Sequence, residues 1–519
     1  MMNLRSLVAA IVVVLLTSCA SLPPQAGRVP THALTDTQAT RLGAAFTPRD
    51  QQHPGESAFH LLPDSVDALV ARVVLMEYAD RSLDLQYYIW HADLTGRELA
   101  AALLRAADRG VRVRVLLDDL GTNADDQMLL VLSSHPNIEI RLFNPVANRR
   151  FKTLGTATEF ARVNRRMHNK ALIADNQGAI LGGRNIGDEY FGASSTVAFG
   201  DLDVLVHGPI VRNVSTAFDE YWNSDASYPI ENLLGRQADP SALAAGRAKL
   251  DAWLASNENG AYVRQAKARL TQVIQSRDAE FSWGKATLLY DDPSKITRTP
   301  SDAEGHLISQ FRALKLEPTQ HLLIVSPYFV PGKRGVAWLS GLTQHGVHVT
   351  VLTNSLAATD VAAVHAGYQR YRKPLLEAGV QLYELKPVAT TSGTVDKNKS
   401  VLGSSKASLH AKTYVFDRKS VFIGSMNFDP RSVELNTEIG IYCESERAAR
   451  QVTDHVESSL TRGAWRLELR TDVTGASHIV WNDTAEDGTV TVLDSEPEVS
   501  ALRRAGIWFL GILPIESQL

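Results

Sequence analysis

The sequence offers almost no cysteine chemistry. Its 519 residues include two cysteines, Cys19 and Cys443, too few for a disulfide framework or a cysteine-based zinc site. It lacks the charge surplus of a nucleic-acid binder: 53 Lys and Arg against 57 Asp and Glu leave a formal charge of −4, so only local basic patches remain. It also lacks an apolar run long enough to cross a bilayer. The run near the N-terminus, Leu7 to Leu16, is ten residues, about half of what a spanning helix needs. What is present is ordinary globular material, 44% hydrophobic and 21% charged, enough for two domains with attachments.

Arg5 followed by that short run marks an export signal. The run ends in Leu16-Thr17-Ser18-Cys19, which resembles a bacterial lipobox. The resemblance implies cleavage before Cys19, acylation of its thiol and a lipid-anchored protein facing the periplasm. Ala20 after the cysteine favours the outer over the inner membrane. Residues 20–55, with Pro23, Pro24, Pro30, Pro48 and Pro54 among Thr, Gln and Ala, suggest a flexible tether reaching about 30 Å as a coil. A helix is expected to start the folded body at Asp64, which precedes Val66, Leu69, Val70, Val73 and Val74 at helical spacing.

The body then repeats itself. Leu83 to Trp90 predicts a strand, Gly96 to Asp108 a helix, and Gly110-Val-Arg-Val-Arg-Val-Leu-Leu-Asp118 a second strand. Leu322 to Phe329, Gly335 to His345, and Gly346-Val-His-Val-Thr-Val-Leu-Thr-Asn354 give the same order about 240 residues later. Strand–helix–strand at this spacing means parallel pairing through right-handed crossovers. The expected fold is α/β: two duplicated halves with mixed sheets flanked by helices, sharing one site at their interface. The expected boundaries are signal 1–19, tether 20–55, first half 56–235, helical connector 236–285, second half 286–465 and C-terminal extension 466–519.

One pattern occurs once in each half. His168-Asn-Lys170-Ala-Leu-Ile-Ala-Asp175 and His410-Ala-Lys412-Thr-Tyr-Val-Phe-Asp417 are both His-x-Lys-x4-Asp, followed by Gly182-Gly183-Arg184-Asn185 and Gly424-Ser425-Met426-Asn427. His and Lys two apart on a strand point to one face, where both can meet one phosphate. The turns after Asp175 and Asp417 send the chain back as hairpins, which would bring Asn185 and Asn427 beside their own pair. At the turns the two aspartates complete the motif and support the hairpin.

These residues resemble the phospholipase D superfamily, and the wider sequence resembles its cardiolipin synthase C-type branch. Asn164-Arg165-Arg166-Met167-His168-Asn169-Lys170, Gly182 to Asp188 and Leu513-Pro514-Ile515-Glu516 carry much of that similarity. It implies that His168 is the nucleophile, forming a phosphohistidine, and that His410 is the acid and then the base. It further implies that Lys170, Lys412, Asn185 and Asn427 hold phosphoryl oxygens, with Ser425, which has no counterpart at Gly183, added on the substrate side. Asp203 and Glu438, in the matching strings Asp-Leu-Asp-Val and Asn-Thr-Glu-Ile, would orient the histidines. No metal and no cofactor is implied. The expected reaction is phosphatidyl transfer to phosphatidylglycerol, giving cardiolipin. The alternatives are hydrolysis to phosphatidic acid and, further off, a periplasmic nuclease. The partners are phospholipids and the membrane, with nucleic acid disfavoured by the charge.

Three segments remain. Arg149, Arg150, Lys152, Arg162, Arg165 and Arg166 form a basic cluster, read either as a solvated face or as an attractor of anionic headgroups. Thr390 to Ser408, rich in Ser, Thr, Gly and Lys, is read as a lid before His410. The tail Leu502 to Leu513 carries Trp508 and Phe509 and is read as seating on a membrane surface, with packing as a final core element the alternative.

Overall fold

The computed structural model describes residues 21–518 apart from 26, 123–124, 195–196, 277–279, 301, 388–405, 486 and 514–515. Cys19 and the expected signal before it, nearly all of the Thr390–Ser408 segment, and Pro514-Ile515 lie outside the described residues.

In the first half the strands are β1 (Ser57–Leu62), β2 (Ser82–Tyr87), β3 (Arg112–Asp118), β4 (Ile138–Phe143), β5 (Ala171–Ala174), β6 (Gly178–Gly182), β7 (Val197–Gly200), β8 (Asp203–His207) and β9 (Ser227–Pro229). All but β7 form one sheet in the order 9-4-3-2-5-6-8-1. β2, β3 and β4 are parallel, as the crossover helices Leu94–Asp108 and Asp126–Ser133 require.

The second half repeats this with β10 (Ser282–Tyr290), β11 (His321–Val325), β12 (His348–Asn354), β13 (Gln381–Leu385), β14 (Lys406–Leu409), β15 (Lys412–Phe416), β16 (Ser420–Gly424), β17 (Ile439–Glu444), β18 (Ala464–Thr471), β19 (Ser477–Thr484) and β20 (Val490–Leu493). Its order is 10-17-16-15-11-12-13-18-19-20, with β14 outside. The second sheet therefore runs past residue 465 into the expected extension. The predicted repeat is present, with β2 and β11 ending three or four residues earlier than expected.

The halves join in two ways. Equivalent edge strands β1 and β10 pair antiparallel, Ser57 opposite Gly284 and Phe59 opposite Ser282. In addition Ala179, Leu181 and Val204 of the first sheet share one buried core with Ile423, Ile439 and Ile441 of the second. Neither inner face could be left in water without exposing a full layer of apolar side chains.

Residues 21–55 are not the free coil expected. Arg28 donates to the carbonyls of Asn223 and Ser224, Ala33 N–H to Asp219, and Arg41 to Asp80 at 2.8 Å. A helix spans Arg41–Asp50, capped by Thr40, and β1 precedes the expected start at Asp64. The prolines of this segment break periodicity without preventing it from docking through side chains. Asp64 does cap its helix, accepting from Val66 and Asp67 N–H. The connector forms helices Pro240–Asn257 and Ala261–Ser276, laid on the first half through Leu243, Leu250 and Tyr262.

Candidate active site

Each motif begins at the mouth of a hairpin and ends at its turn. β5–β6 and β15–β16 turn through Asp175 and Asn176 (φ 53° and 50°) and Asp417 and Arg418 (φ 52° and 55°). Two successive positive φ values give the turn that matches strand twist. The Asp175 carboxylate accepts from the N–H groups of Asp80, Arg81 and Ser82, and Asp417 from those of Thr319, Gln320 and His321. Both aspartates thus brace the hairpin against the start of β2 or β11. They do not join the histidines.

At the other end each histidine is held by backbone from the opposite half. Thr437 N–H donates to Arg166 O and His168 N–H to Thr437 O, each at 2.9 Å. β7 and β14 pair in parallel, and His410 N–H donates to Gly200 O at 2.8 Å. The last residue of β3 or β12 secures the preceding residue. Asp118 accepts from Met167 N–H and from Arg166, while Asn354 accepts from Leu409 N–H and donates to its carbonyl. These two residues close the repeated strand strings, and the strings were the signal that could have found them.

This crossing decides which carboxylate meets which histidine. Glu438 Oε2 lies 2.8 Å from His168 Nδ1, and Asp201 Oδ2 lies 2.6 Å from His410 Nδ1. Glu438 orients a histidine as expected, but Asp203 does not; the residue in that place is Asp201. Gly182 pairs with Asp203 and Gly424 with Gly440, so the position matching Glu438 falls two residues before Asp203. Asp203 instead binds Arg72 at 2.8 Å and Arg184 N–H at 3.1 Å. The string Asp-Leu-Asp-Val offers two acids of one parity, and sequence alone chose the wrong one.

Ser425 also differs from expectation. Its hydroxyl donates to Glu438 and accepts from Ile439 N–H, so it steadies the carboxylate behind His168. In the first half no side chain fits there: a Cβ on Gly183 would stand 2.0 Å from Asp201 Oδ1.

His168, His410, Lys170 and Lys412 are all buried, and each lysine donates to the carbonyl of its own histidine. Burial, then the charges of Lys170, Lys412 and His410, push His168 well below the ordinary imidazole range. His410 is lowered by burial and Lys412, with Asp201 pulling the other way. Burial brings Lys170 down to about 7, against the pull of Glu438, and Lys412 to about 8, against Asp201. Burial raises Glu438 to about 7. Burial would also raise Asp201, but His410, Lys412 and Arg184 outweigh it and hold the carboxyl at about 2.

Asn185 accepts from Ile89 N–H at 3.2 Å, leaving its buried Nδ2 unpaired; buried Oδ1 of Asn427 is unpaired too. Buried polar atoms seldom stand alone; Asn185 Nδ2 is a donor that suits an anionic oxygen, and the Asn427 amide does the same once turned to present Nδ2 in place of Oδ1. Tyr88 lies edge-on to His168, with ring centroids 5.1 Å apart, and Tyr190 edge-on to His410 at 5.2 Å. Sequence reasoning singled out neither.

The basic cluster is mostly spent on internal contacts. Arg149 and Lys152 bind Asp119 and Asp126, Arg162 binds Glu159, Arg165 donates to the carbonyls of Lys295, Ile296 and Arg298, and Arg166 binds Asp118. Of the six, Arg150 is the one exposed to solvent. Among the described residues one group of three potential metal ligands stands close together, His91, Asp93 and Glu189. There Asp93 caps helix Leu94–Asp108 and His91 pairs with Glu189 at 3.2 Å, so the group is satisfied as it stands.

Two buried imidazoles, each with a carboxylate on Nδ1, can attack phosphorus from one side and protonate a leaving oxygen on the other. Two cations between them neutralise the phosphoryl charge. Comparison with known proteins agrees. The family described as "Cardiolipin synthase, PLD-like domain" matches residues 73–222 and 315–460. The chain is 43% identical over 483 residues to cardiolipin synthase C of Escherichia coli (strain K12), covering 92% of this chain and 99% of that one. It is 24% identical over 391 residues to cardiolipin synthase B of the same strain, covering 75% and 77%. Among solved structures, phosphatidylserine synthase of Haemophilus influenzae Rd KW20 superposes with a TM-score of 0.55 over 89% of this chain and 96% of that one, at 14% identity, a likeness of fold. With its two hairpins meeting at one pair of histidines, the chain belongs to the phospholipase D-like family of cardiolipin synthases.

Proposed function

We propose that this chain is a phosphatidyltransferase that makes cardiolipin from phosphatidylglycerol and a second phospholipid. The observation that carries the reading is its 43% identity, over nearly its whole length, to a cardiolipin synthase; the two crossed histidine–carboxylate pairs supply the chemistry.

In the first step His168 Nε2 attacks the donor phosphorus. The bond to the headgroup oxygen breaks, and that oxygen leaves with a proton from His410. In the second step His410 takes the proton of a phosphatidylglycerol hydroxyl, whose oxygen attacks phosphorus and displaces His168. Lys170, Lys412, Asn185 and Asn427 hold the nonbridging oxygens throughout. Both steps proceed without redox change, and both histidines end as they began.

Water in place of phosphatidylglycerol would give phosphatidic acid, the second reading; burial of both histidines favours a held acceptor over water. The protein is proposed to act facing the periplasm, tethered through acylated Cys19, with the outer membrane favoured. Cys19→Ser should release it from the membrane-anchored fraction, and a wild-type protein that keeps its first nineteen residues would overturn the anchor.

The reaction is tested with purified protein and vesicles of phosphatidylglycerol and phosphatidylethanolamine. Cardiolipin should form, and should not with His168→Asn. Phosphatidic acid as the sole product would replace transfer by hydrolysis, and cut DNA without lipid products would replace both.

A further inference from the structure

Large apolar side chains cluster in solvent at two places, one just before the His168 motif and one on the last long helix of the chain. On and beside the short helices Lys152–Thr158 and Phe160–Val163, Phe151, Leu154 and Phe160 are 57%, 40% and 56% exposed. On helix Ala501–Ile512, Trp508, Phe509 and Ile512 are 67%, 61% and 60% exposed. That helix is already docked by its other face, where Ile507 is buried against Leu356 and Ala366 with Leu510 alongside. Packing as a core element therefore accounts for one face and leaves the aromatic one uncovered.

The end of the chain ties the two places to the mouth of the site. Beyond the helix, Arg370 donates to Leu513 O and to Glu516. Gln518 then accepts from Asn164 Nδ2, and its carbonyl from Arg431. Asn164 follows the first apolar helix pair and precedes His168 by four residues. Arg431 also donates to Asn164 and acts electrostatically on Tyr88, the ring edge-on to His168.

Charge selects the occupant. Arg150 is exposed, with its guanidinium 5.5 Å over the Phe151 ring, and is the cation its acidic neighbours Asp119 and Asp126 leave over. Arg503, beside exposed Leu502, has no ion-pair partner among the described residues. Aromatic and apolar side chains with basic residues beside them match the boundary between acyl chains and anionic headgroups.

We propose that these two apolar prongs, one from each half, together seat the mouth of the site on an anionic phospholipid bilayer. The proposal rests on the phospholipid reading of the site. It gives the two halves a common task outside the chemistry: drawing bilayer lipid up to the site between two inserted edges.

The test compares two substrates with the mature protein as extracted from cells. One is phosphatidylglycerol in vesicles; the other is a short-chain phosphatidylglycerol kept monomeric in solution. Phe151→Ser with Phe160→Ser, and separately Trp508→Ser with Phe509→Ser, should each lower turnover of vesicle lipid by roughly tenfold or more. Turnover of the monomeric lipid should stay unchanged. An environment-sensitive fluorophore on Phe509→Cys or on Phe160→Cys should shift to the blue with anionic vesicles and much less with zwitterionic ones. Unchanged vesicle turnover in both pairs, or a blue shift at one prong only, would overturn two-pronged seating. So would loss of self-association in the variants with vesicle turnover intact, which would make the prongs a contact between copies. If wild-type protein turns over neither lipid, the phospholipid reading itself fails.

Discussion

Behind Asp201, in the first half, lie arginines. Arg184 donates to the Asp201 carbonyl at 2.8 Å, and both Arg184 and Arg72 bind Asp203 two residues further on. Behind Glu438, in the second half, lie two acids, Asp291 and Asp429, and one buried lysine, Lys295, 3.0 Å from Asp291. Buried Asp291 accepts from Glu438 N–H at 2.8 Å, and burial together with the Glu438 charge raises both Asp291 and Asp429 to about 6. The duplicated chain has kept the reacting pairs alike and let the residues behind them diverge. An ionised Asp201 suits a histidine that must carry a proton between leaving and incoming oxygens. Burial and the charges of Lys170, Lys412 and His410 leave His168 neutral, the form that attacks phosphorus. The two motifs look interchangeable in sequence, but their surroundings make them unequal.

The largest effects should come from removing either histidine. His168→Asn and His410→Asn should each cut cardiolipin formation by about 10³-fold or more, since a nucleophile and a general acid are lost. Circular dichroism should be unchanged. Substantial activity in either variant would mean two independent sites.

The carboxylates should then separate. Asp201→Asn removes a full charge from His410 and should cost about 10²-fold in kcat. Glu438→Gln replaces a carboxyl already near half-protonation at neutral pH, with its value about 7, and should cost about tenfold. Equal losses would break the comparison between the halves.

The lysines give a pH signature. They are charged below their pKa values, so phosphate binding is complete at low pH and lost as pH rises through about 7 for Lys170 and about 8 for Lys412. kcat/KM should fall over that range. Bound phosphodiester stabilises the ammonium forms, so the fall in kcat should lie at higher pH. A fall at the same pH in both would argue against lysines clamping the phosphate.

The smallest effects are on stability. Asp175 is fully buried and Asp417 sits at an open turn, so Asp175→Asn should cost about 2 kcal/mol and Asp417→Asn about 1. Urea midpoints measure this, and activity per folded molecule should hold.

Repetition and strand parity made much of this architecture legible in the sequence. The strand–helix–strand units, the hairpins and the placing of His and Lys on one face follow from periods of two and from matching strings. What escaped depended on contacts that leave no local period, some between the halves and some within one. Asp201 rather than Asp203 meets His410 because β14 pairs with β7, a pairing written in neither strand alone. Ser425 looked like a substrate ligand because its partner, Glu438, lies thirteen residues on. The docking of residues 21–55 rests on single side chains such as Arg28 and Arg41, which leave no periodic trace. The basic cluster was visible as charge, but its neutralisation by Asp119 and Asp126 was not.

The central claim is that one site holds two histidines with different tasks, and a change of leaving group tests it directly. A phosphatidyl ester of p-nitrophenol needs little protonation of its leaving oxygen. With this donor, His410→Asn should recover a burst of p-nitrophenol and accumulate a phosphatidyl group bound covalently to His168, while His168→Asn should release none. Equal recovery in both variants, or recovery in His168→Asn alone, would contradict the account.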